Sequence, residues 1–128
     1  MKKPERTVLP VLVALALLWG CRAKDMGTIT VNVGIRNSSS NSLDWVEMMW
    51  KGPDISSGIL TTGVEKTVLD AEWSFPTNAT LTFVDKITRK PYSIEVPVNR
   101  ANEQIRSGKC HDVVIEVLSY SNVEVICR

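Results

Sequence analysis

The sequence has few of the residues on which enzyme chemistry depends. Its single histidine, His111, lies beside Cys110, and the chain has no Gly-x-Ser-x-Gly motif that would place a serine nucleophile on a sharp turn. It also lacks the glycine-rich fingerprints of phosphate loops and dinucleotide-binding folds. Nucleophilic catalysis needs a base that is held by a third group, and the sequence does not supply that arrangement. We therefore expect no enzyme activity, no catalytic residues and no cofactor.

Metal-binding patterns are missing as well. Cys110 and His111 could begin a zinc site, but no second ligand pair follows at the spacing of a zinc finger. Among the carboxylates, Asp70 and Glu72 alternate on one side of a strand-like segment, which is ordinary for a solvated face. The sequence thus predicts neither a bound metal nor the paired carboxylates of a glycosidase.

The chain has no marked excess of positive charge. It contains 15 Lys and Arg residues against 14 Asp and Glu residues, a formal net charge of +1. Its basic cluster, residues 86–90, follows Asp85 and lies between two strand-like segments, where a solvated turn is expected. Because nucleic-acid binding usually requires a basic stripe or patch, we expect no nucleic-acid partner.

The N-terminal apolar run is too short to cross a membrane as a stable helix. It covers residues 8–18, follows Lys2, Lys3 and Arg6, and precedes Gly20. A spanning helix needs about 20 apolar residues, whereas a basic start, a shorter apolar run and a small residue before the cut are typical of a secretory signal peptide. Residues 1–20 are therefore predicted to be removed. An uncleaved signal anchor is the alternative.

A cysteine directly follows this segment. The stretch Leu18-Trp19-Gly20-Cys21 resembles the lipobox of bacterial lipoproteins, in which the chain is cut before the cysteine and the cysteine is acylated. The resemblance implies a lipidated Cys21, with acyl chains such as palmitate in the lipid bilayer, and a short tether over residues 21–27. Arg22 stands where an Asp retains lipoproteins in the inner membrane. This implies an outer-membrane anchor, with the domain facing the periplasm.

Cys110 and Cys127 remain once Cys21 is assigned to lipid. An even pair of cysteines in an exported domain predicts a disulfide. If the last two strand-like segments pair in simple register, however, Cys127 faces Val113 instead of Cys110. The bridge then requires the chain to bend back at Gly108 or a β-bulge to shift the register.

The rest of the chain mostly alternates apolar and polar residues with a period of two, the pattern of strands with one buried face. We expect one domain over residues 28–128, with about seven strands and one short helix over 99–107, capped by Asn99 and ended by Gly108. The strands are expected at 28–36, Leu43–Trp50, Glu65–Trp73, Ala79–Asp85, 91–98, 112–118 and 123–127.

Short strands with turn residues at nearly regular intervals predict an all-β fold, a two-layer antiparallel β-sandwich of immunoglobulin-like or transthyretin-like architecture. A partly open barrel is the alternative, because periodicity does not distinguish one closed sheet from two packed sheets. The alternating residues Ile29, Val31, Val33 and Ile35 share one face of the first strand. The segment Leu43–Trp50 is partly apolar on both faces, which favours a central strand.

Two sets of residues are candidates for binding. The first lies in the glycine-rich segment 50–63, which we expect to be a loop that presents apolar side chains, since loops on rigid scaffolds commonly carry recognition. Its candidate partner-binding residues are Trp50, Pro53, Ile55, Ile59 and Leu60. The alternative for Ile55, Ile59 and Leu60 is to cover one end of the core.

The second set is aromatic and comprises Trp45, Trp73 and Tyr92. Trp and Tyr are frequent anchors of protein interfaces. Packing in the core is the alternative for each of them.

In its lipid anchor, size and cysteine pair, the chain is similar to small periplasmic β-sandwich lipoproteins, which include assembly components of secretion machines and immunity lipoproteins that neutralise toxins. The expected function is a non-catalytic, outer-membrane-anchored periplasmic lipoprotein that binds another protein of the cell envelope. The alternatives are an immunity lipoprotein against a toxin delivered into the periplasm, and a module that binds a small ligand or glycan.

Overall fold

The computed structural model describes residues 29–128, which form eight β-strands and one helix. The predicted signal peptide (residues 1–20), the lipidated Cys21 and the tether (21–27) lie outside the described residues. Within 29–128, no helix is long and apolar enough to cross a membrane. The elements are β1 (Ile29–Asn37), β2 (Leu43–Trp50), β3 (Ser56–Leu60), β4 (Glu65–Trp73), β5 (Ala79–Asp85), β6 (Pro91–Glu95), α1 (Asn99–Arg106), β7 (Asp112–Ser119) and β8 (Asn122–Cys127).

The strands form two four-stranded sheets that enclose a common core. One sheet has the order β4-β1-β7-β8, and the other has the order β3-β2-β5-β6. This confirms the predicted all-β sandwich and the inner position of β2, and the alternative of a barrel is wrong. The two strands that flank the predicted turn at residues 86–90, β5 and β6, pair antiparallel with Leu81 opposite Ile94.

Two details of the sandwich differ from the prediction. The described residues contain eight strands instead of about seven, because Ser56–Leu60 forms β3. The pairing is not antiparallel throughout, since β1 and β7 run parallel with Val33 opposite Val113. Parallel neighbours require a long crossover connection. Here the chain from β2 to α1 forms that crossover, and such a distant pairing leaves no local pattern in the sequence.

β3 replaces part of the predicted loop. It pairs antiparallel with β2 at the edge of its sheet, with Leu60 opposite Leu43. Leu60 is fully buried, whereas Gly58 and Ile59 are exposed. Glycine and serine are poor strand formers, so local propensity favoured a loop. Pairing with β2 and the burial of Leu60 outweigh that propensity.

The core lies between the two sheets and is built from alternating residues of each strand. Val31, Val33 and Ile35 are buried on one face of β1, whereas Ile29 is 41% exposed at the start of the strand. The largest fully buried side chains include Trp73 and Phe83.

β4 is an outer strand and buries only residues near its end. Ala71 and Trp73 face the core, whereas Val68 and Leu69 are exposed. A β-bulge interrupts its pairing with β1, and Asp70 at this place has a φ angle of 52°. Residues 65–70 are exposed on both faces of the strand, so burial does not alternate before the bulge.

The connection from β6 to the helix contains less strand than predicted. β6 ends at Glu95 instead of Val98, and Pro97 has no N–H with which to continue a strand ladder. Val96 and Val98 are nevertheless buried. Val96 still donates its N–H to the carbonyl oxygen of Ala79 at 2.9 Å, so this segment covers the core with one further bond to β5 after the strand ends.

The helix α1 ends as predicted but begins differently. Asn99 is the first helical residue and not the cap, since Val98 precedes the helix and no side chain caps its N-terminus. Gly108 has a φ angle of 73° and donates its N–H to the carbonyl oxygen of Ile105, which is the usual glycine end of a helix. Asn102 fixes the helix to the sandwich. It accepts a hydrogen bond from Trp73 Nε1 at 2.8 Å and donates one to the Pro76 carbonyl oxygen at 2.7 Å.

A disulfide joins Cys110 and Cys127, whose Cα atoms lie 5.2 Å apart. As simple register predicts, Cys127 faces Val113 in the β7–β8 hairpin. The chain turns at Gly108 and reaches the end of β8, where the N–H of His111 donates to the carbonyl oxygen of Arg128 at 2.9 Å. The bend at Gly108 thus brings the two cysteines together.

Candidate binding surface

The five residues of the predicted binding loop do not form one surface. Ile55 and Leu60 are 3% and 0% exposed and belong to the core, whereas Ile59 is 53% exposed. Trp50 and Pro53 are half-buried. Ile55 is buried just before β3, and β3 buries Leu60 but leaves Ile59 exposed, so the prediction of a single presenting loop is wrong. For Ile55 and Leu60, the alternative role of covering the core is the observed one.

Three contacts hold Trp50 in place. Its ring meets the Trp73 ring edge-on, with centroids 5.2 Å apart, and its Nε1 donates to the carbonyl oxygen of Pro53 at 2.8 Å. Gly52 lies against the ring, where an added Cβ would come within 2.9 Å of the indole. Trp50 is thus a packed residue whose polar atom is satisfied, and only part of its ring reaches the surface.

The predicted aromatic set also divides between core and surface. Trp73 is fully buried, and Tyr92 is half-buried against Phe83 and Tyr120, at centroid distances of 5.5 and 4.4 Å. Trp45, in contrast, is 67% exposed. Core packing is therefore the role of Trp73, and Trp45 is the member of the set that is free to meet a partner.

Other apolar side chains lie beside Trp45 on the outer face of the sheet β3-β2-β5-β6. Met49 is 59% exposed on the same strand. Ile59 and Val84 lie opposite Asp44 on its two sides, and Pro91 lies opposite Val84. A shallow groove of about 490 Å³ extends beside Trp45 toward Pro91. We call this surface the Trp45 face; its apolar members are Trp45, Met49, Ile59, Val84 and Pro91.

The backbone of Trp45 is strained. Its φ angle is 51°, a left-handed conformation that costs a residue other than glycine roughly 1–2 kcal/mol. The angle belongs to a β-bulge, since between Asp44 and Glu47 the strand β2 has one residue more than β5. Bulges redirect side chains, and strain of this kind is frequent at functional positions.

Asp44 stabilises this bulge. One of its carboxylate oxygens accepts a hydrogen bond from the N–H of Trp45 at 2.9 Å, and the other accepts one from Arg89 Nη1 at 3.1 Å. The Arg89 side chain is 59% exposed, so water screens the ion pair and its contribution to stability is small. The main effect of Asp44 is geometric, because it fixes the backbone from which Trp45 projects.

Asp85 organises the β5–β6 turn that carries Arg89. Its carboxylate accepts hydrogen bonds from the N–H groups of Ile87 at 2.7 Å and Thr88 at 3.0 Å, and from the Tyr120 hydroxyl. The bond from Tyr120, followed by the backbone bonds, lowers the pKa of Asp85. Burial and then the hydrogen bond to Asp85 raise the pKa of Tyr120.

The Trp45 face carries negative charge. The outer face of this sheet carries the acidic residues Asp44, Glu47 and Glu95, whereas Asp85 is buried on the inner side, and the four strands contain no Lys or Arg. Glu47 and Glu95 are exposed. The adjoining β5–β6 turn contains Lys86, Arg89 and Lys90, all exposed. Arg89 is paired with Asp44, and the Lys90 ammonium lies 5.8 Å from the centroid of the Tyr92 ring. The face thus combines exposed apolar side chains with unpaired carboxylates.

This arrangement is suited to binding. Within residues 29–128 there is no group of three or more His, Cys, Asp or Glu side chains that could hold a metal ion. His111 is exposed beside Cys110, which is bound to Cys127. A strained, projecting Trp among aliphatic side chains and carboxylates can bind an apolar surface that also carries cations, because cations interact with both carboxylates and indole rings.

The Trp45 face could be predicted only in part from the sequence. Alternation along β2 separates Trp45, Glu47 and Met49 from the buried Val46 and Met48. The bulge in β2 could not be predicted from the sequence, because the residue with positive φ is Trp45 and not a glycine. The contribution of Ile59 was also hidden, because it depends on the pairing of β3 with β2.

A second concave region lies at the other end of β2. It is a cleft of about 380 Å³. Phe75, in its wall, has a φ angle of 52°, and its ring centroid lies 4.5 Å from the guanidinium of Arg106. The cleft is lined by Trp50, Lys51, Ser74, Phe75, Pro76, Thr77 and Asn78.

Comparison with known proteins gives no family. No family model matches the chain, and no curated protein matches it at a significant level. One solved structure with a similar backbone is described as the NMR structure of a protein from Eubacterium rectale. It has a TM-score of 0.44 and 11% sequence identity, over 77% of this chain and 87% of that chain. A likeness of this degree assigns no function.

Proposed function

We propose that this protein is a non-catalytic lipoprotein of the bacterial cell envelope, anchored through acylated Cys21 in the outer membrane and facing the periplasm, and that it binds another protein through the Trp45 face. The observation that carries the binding proposal is Trp45 itself. A large aromatic side chain that is 67% exposed on a strained backbone contributes little to the core, whereas Trp is enriched among the residues that anchor protein interfaces.

The side chains of the Trp45 face indicate what kind of partner surface it can bind. Met49, Ile59 and Val84 offer apolar contact around Trp45, and Glu47 and Glu95 supply negative charge at its margin. We therefore propose a partner with an apolar patch that carries Lys or Arg. Such a cation can lie over the Trp45 ring and pair with Glu47, and opposite charges accelerate association and orient the two proteins.

The test is retention of partners by the lipidated full-length protein in mild detergent extracts of its own envelope. The matched variants are Trp45→Asn and Leu69→Asn, since Leu69 is 71% exposed on the opposite sheet and has no place in the proposed site. We expect a defined partner to be retained by the wild type and by Leu69→Asn, and to fall about tenfold or more in Trp45→Asn. Equal retention by both variants contradicts the proposal.

The identity of the retained protein distinguishes the alternatives. A single exported toxin in stoichiometric amount would identify an immunity lipoprotein, whereas several components of a membrane complex would identify an assembly role. Mass spectrometry of the mature N-terminus tests the anchor separately. Acylation of Cys21 is expected, and its absence, or an unchanged membrane location of Cys21→Ala, contradicts the anchor proposal.

A further inference from the structure

One end of the sandwich contains Ile29, the first described residue after the proposed anchor Cys21, and the side chains packed around its partner Trp73. The described chain begins at Ile29, which lies opposite Trp73. The Trp73 ring contacts Trp50 at 5.2 Å, and the hydroxyl of the next residue, Ser74, donates to the carbonyl oxygen of Lys51. Phe75 and Arg106 complete the group through their ring–guanidinium contact. We call this region the anchor end; it comprises Ile29, Trp50, Lys51, Phe75 and Arg106.

The anchor end presents aromatic and aliphatic surface together with cations. Ile29 is 41% exposed, and Trp50 and Phe75 are half-buried along the cleft of about 380 Å³. Phe75 holds a left-handed backbone directly before Pro76, an unfavourable conformation for a bulky residue. Lys51 and Arg106 are exposed, so their charges accompany the aromatic rings at the surface.

The length of chain before Ile29 limits how far this end can lie from the membrane. Eight residue steps separate Cys21 from Ile29. A fully extended chain spans at most about 3.6 Å per residue, so the distance is at most about 29 Å. If Cys21 is acylated, Ile29 therefore lies within about 29 Å of the lipid surface, so the anchor end starts closer to the headgroups than the rest of the domain.

We propose that the anchor end rests on the phospholipid surface, with Trp50 and Phe75 at the headgroup level and Lys51 and Arg106 near the lipid phosphates. Aromatic rings favour the membrane interface, and cations interact with anionic headgroups. This inference rests on the acylation of Cys21 in the proposed function. Acidic residues are also present in the same loop and helix, at Asp54 and Glu103, so the aromatic rings provide more of the contact than net charge does.

This orientation leaves the proposed protein-binding surface accessible. Trp45 lies five residues before Trp50 on β2, and because the bulge adds one of these residues, it lies roughly 14 Å farther along the strand. With the anchor end on the lipid, Trp45 is held away from the headgroups. A partner in the periplasm can then reach the Trp45 face.

The test compares two tryptophans of the lipidated protein in vesicles of phosphatidylethanolamine and phosphatidylglycerol with brominated acyl chains, which quench nearby indole fluorescence. Trp45→Phe leaves Trp50 and the buried Trp73 as reporters, and Trp50→Phe leaves Trp45 and Trp73. We expect quenching to be about twofold or more stronger in Trp45→Phe, because Trp50 lies at the interface. Equal quenching, or stronger quenching in Trp50→Phe, overturns the proposed orientation.

A second measurement needs no substitution in the packed Trp50. Hydrogen exchange of residues 74–78 in the lipidated wild type should slow on vesicles relative to detergent micelles, whereas exchange near Trp45 should not change. Acylated, vesicle-bound protein without this protection overturns the orientation and leaves the anchor intact. Unacylated Cys21 instead contradicts the proposed function. Protection of residues 74–78 by a soluble saccharide, and not by vesicles, would overturn the lipid assignment of the cleft.

Discussion

At the scale of single residues, the effect of replacing Trp45 on stability distinguishes a role in the fold from a role in binding. Its left-handed backbone costs roughly 1–2 kcal/mol, and its exposed ring recovers little of that cost through burial. We expect Trp45→Asn to raise the free energy of unfolding by up to about 1 kcal/mol, because Asn adopts this conformation more readily. Urea unfolding of the two proteins measures the change. A loss of more than about 1 kcal/mol would mean that Trp45 is retained for the fold.

Asp85 and Tyr120 predict how stability depends on pH. The pKa of Asp85 is lowered in the folded protein from its ordinary value of 3.8, chiefly by the Tyr120 hydroxyl. The stability from this carboxylate is therefore present above pH 3.8 and is lost as the pH falls through the lowered pKa. Tyr120 behaves in the opposite sense. Burial raises its pKa from 10.0, so its contribution is present below pH 10.0 and is lost as the pH rises through the raised pKa.

Denaturant unfolding across pH measures both effects in the wild type and in Tyr120→Phe. The variant keeps the aromatic contact with Tyr92 but lacks the hydroxyl. We expect it to lose the alkaline decline that Tyr120 causes and to show a weaker acid decline, since Asp85 loses the hydrogen bond that lowers its pKa most. Profiles of the two proteins that run parallel at both ends would contradict the assignment.

At the scale of secondary structure, strands with strict alternation could be predicted from the sequence and those that depend on distant neighbours could not. β1 and β5 alternate clearly, and Val31, Val33, Leu81 and Phe83 are buried accordingly. β3 was missed because its weak propensity is overcome by pairing with β2. The bulges in β2 and β4 were missed because their left-handed residues, Trp45 and Asp70, are not glycines.

The same distinction applies to the helix and the binding surface. Gly108 marked the end of α1 because only the local backbone decides that position. The prediction that Asn99 caps α1 is wrong: Asn99 is the first helical residue, and Val98, which is buried, occupies the cap position. The binding surface required knowledge of which strands are adjacent, since Trp45 and Ile59 come together only through the pairing of β2 and β3.

The disulfide is predicted to stabilise the last elements of the chain. Cys110 and Cys127 are 17 residues apart, and closing a loop of that length in the unfolded chain corresponds to about 3 kcal/mol in the chain-entropy model. We expect the Cys110→Ser/Cys127→Ser variant to lose about that amount in urea unfolding. Treating the wild type with a reductant should have a similar effect and should leave the variant unchanged, which controls for other actions of the reagent.

At the scale of the whole molecule, the two proposed contacts lie at different ends of β2: the lipid contact near Trp50 and the protein contact near Trp45. Trp50, with Phe75, lies at the end nearest the N-terminus of the domain, and Trp45 lies toward the other end on an outer face. Each of these regions contains an aromatic residue with positive φ, Phe75 or Trp45. The rigid sandwich between them fixes their separation, so a lipid contact at one region would determine where the other is presented.

The position of β1 has a consequence for how the protein is made. The first strand of the domain lies inside its sheet, between β4 and the parallel strand β7. If the chain is exported N-terminus first, as proposed, β1 reaches the periplasm with both edges open, and its second neighbour arrives only when residues 112–119 have crossed. Pairing across such a long interval makes folding slow. The domain would therefore pass through the export channel unfolded, and Cys21 would be available to the lipidating enzymes before the sandwich closes.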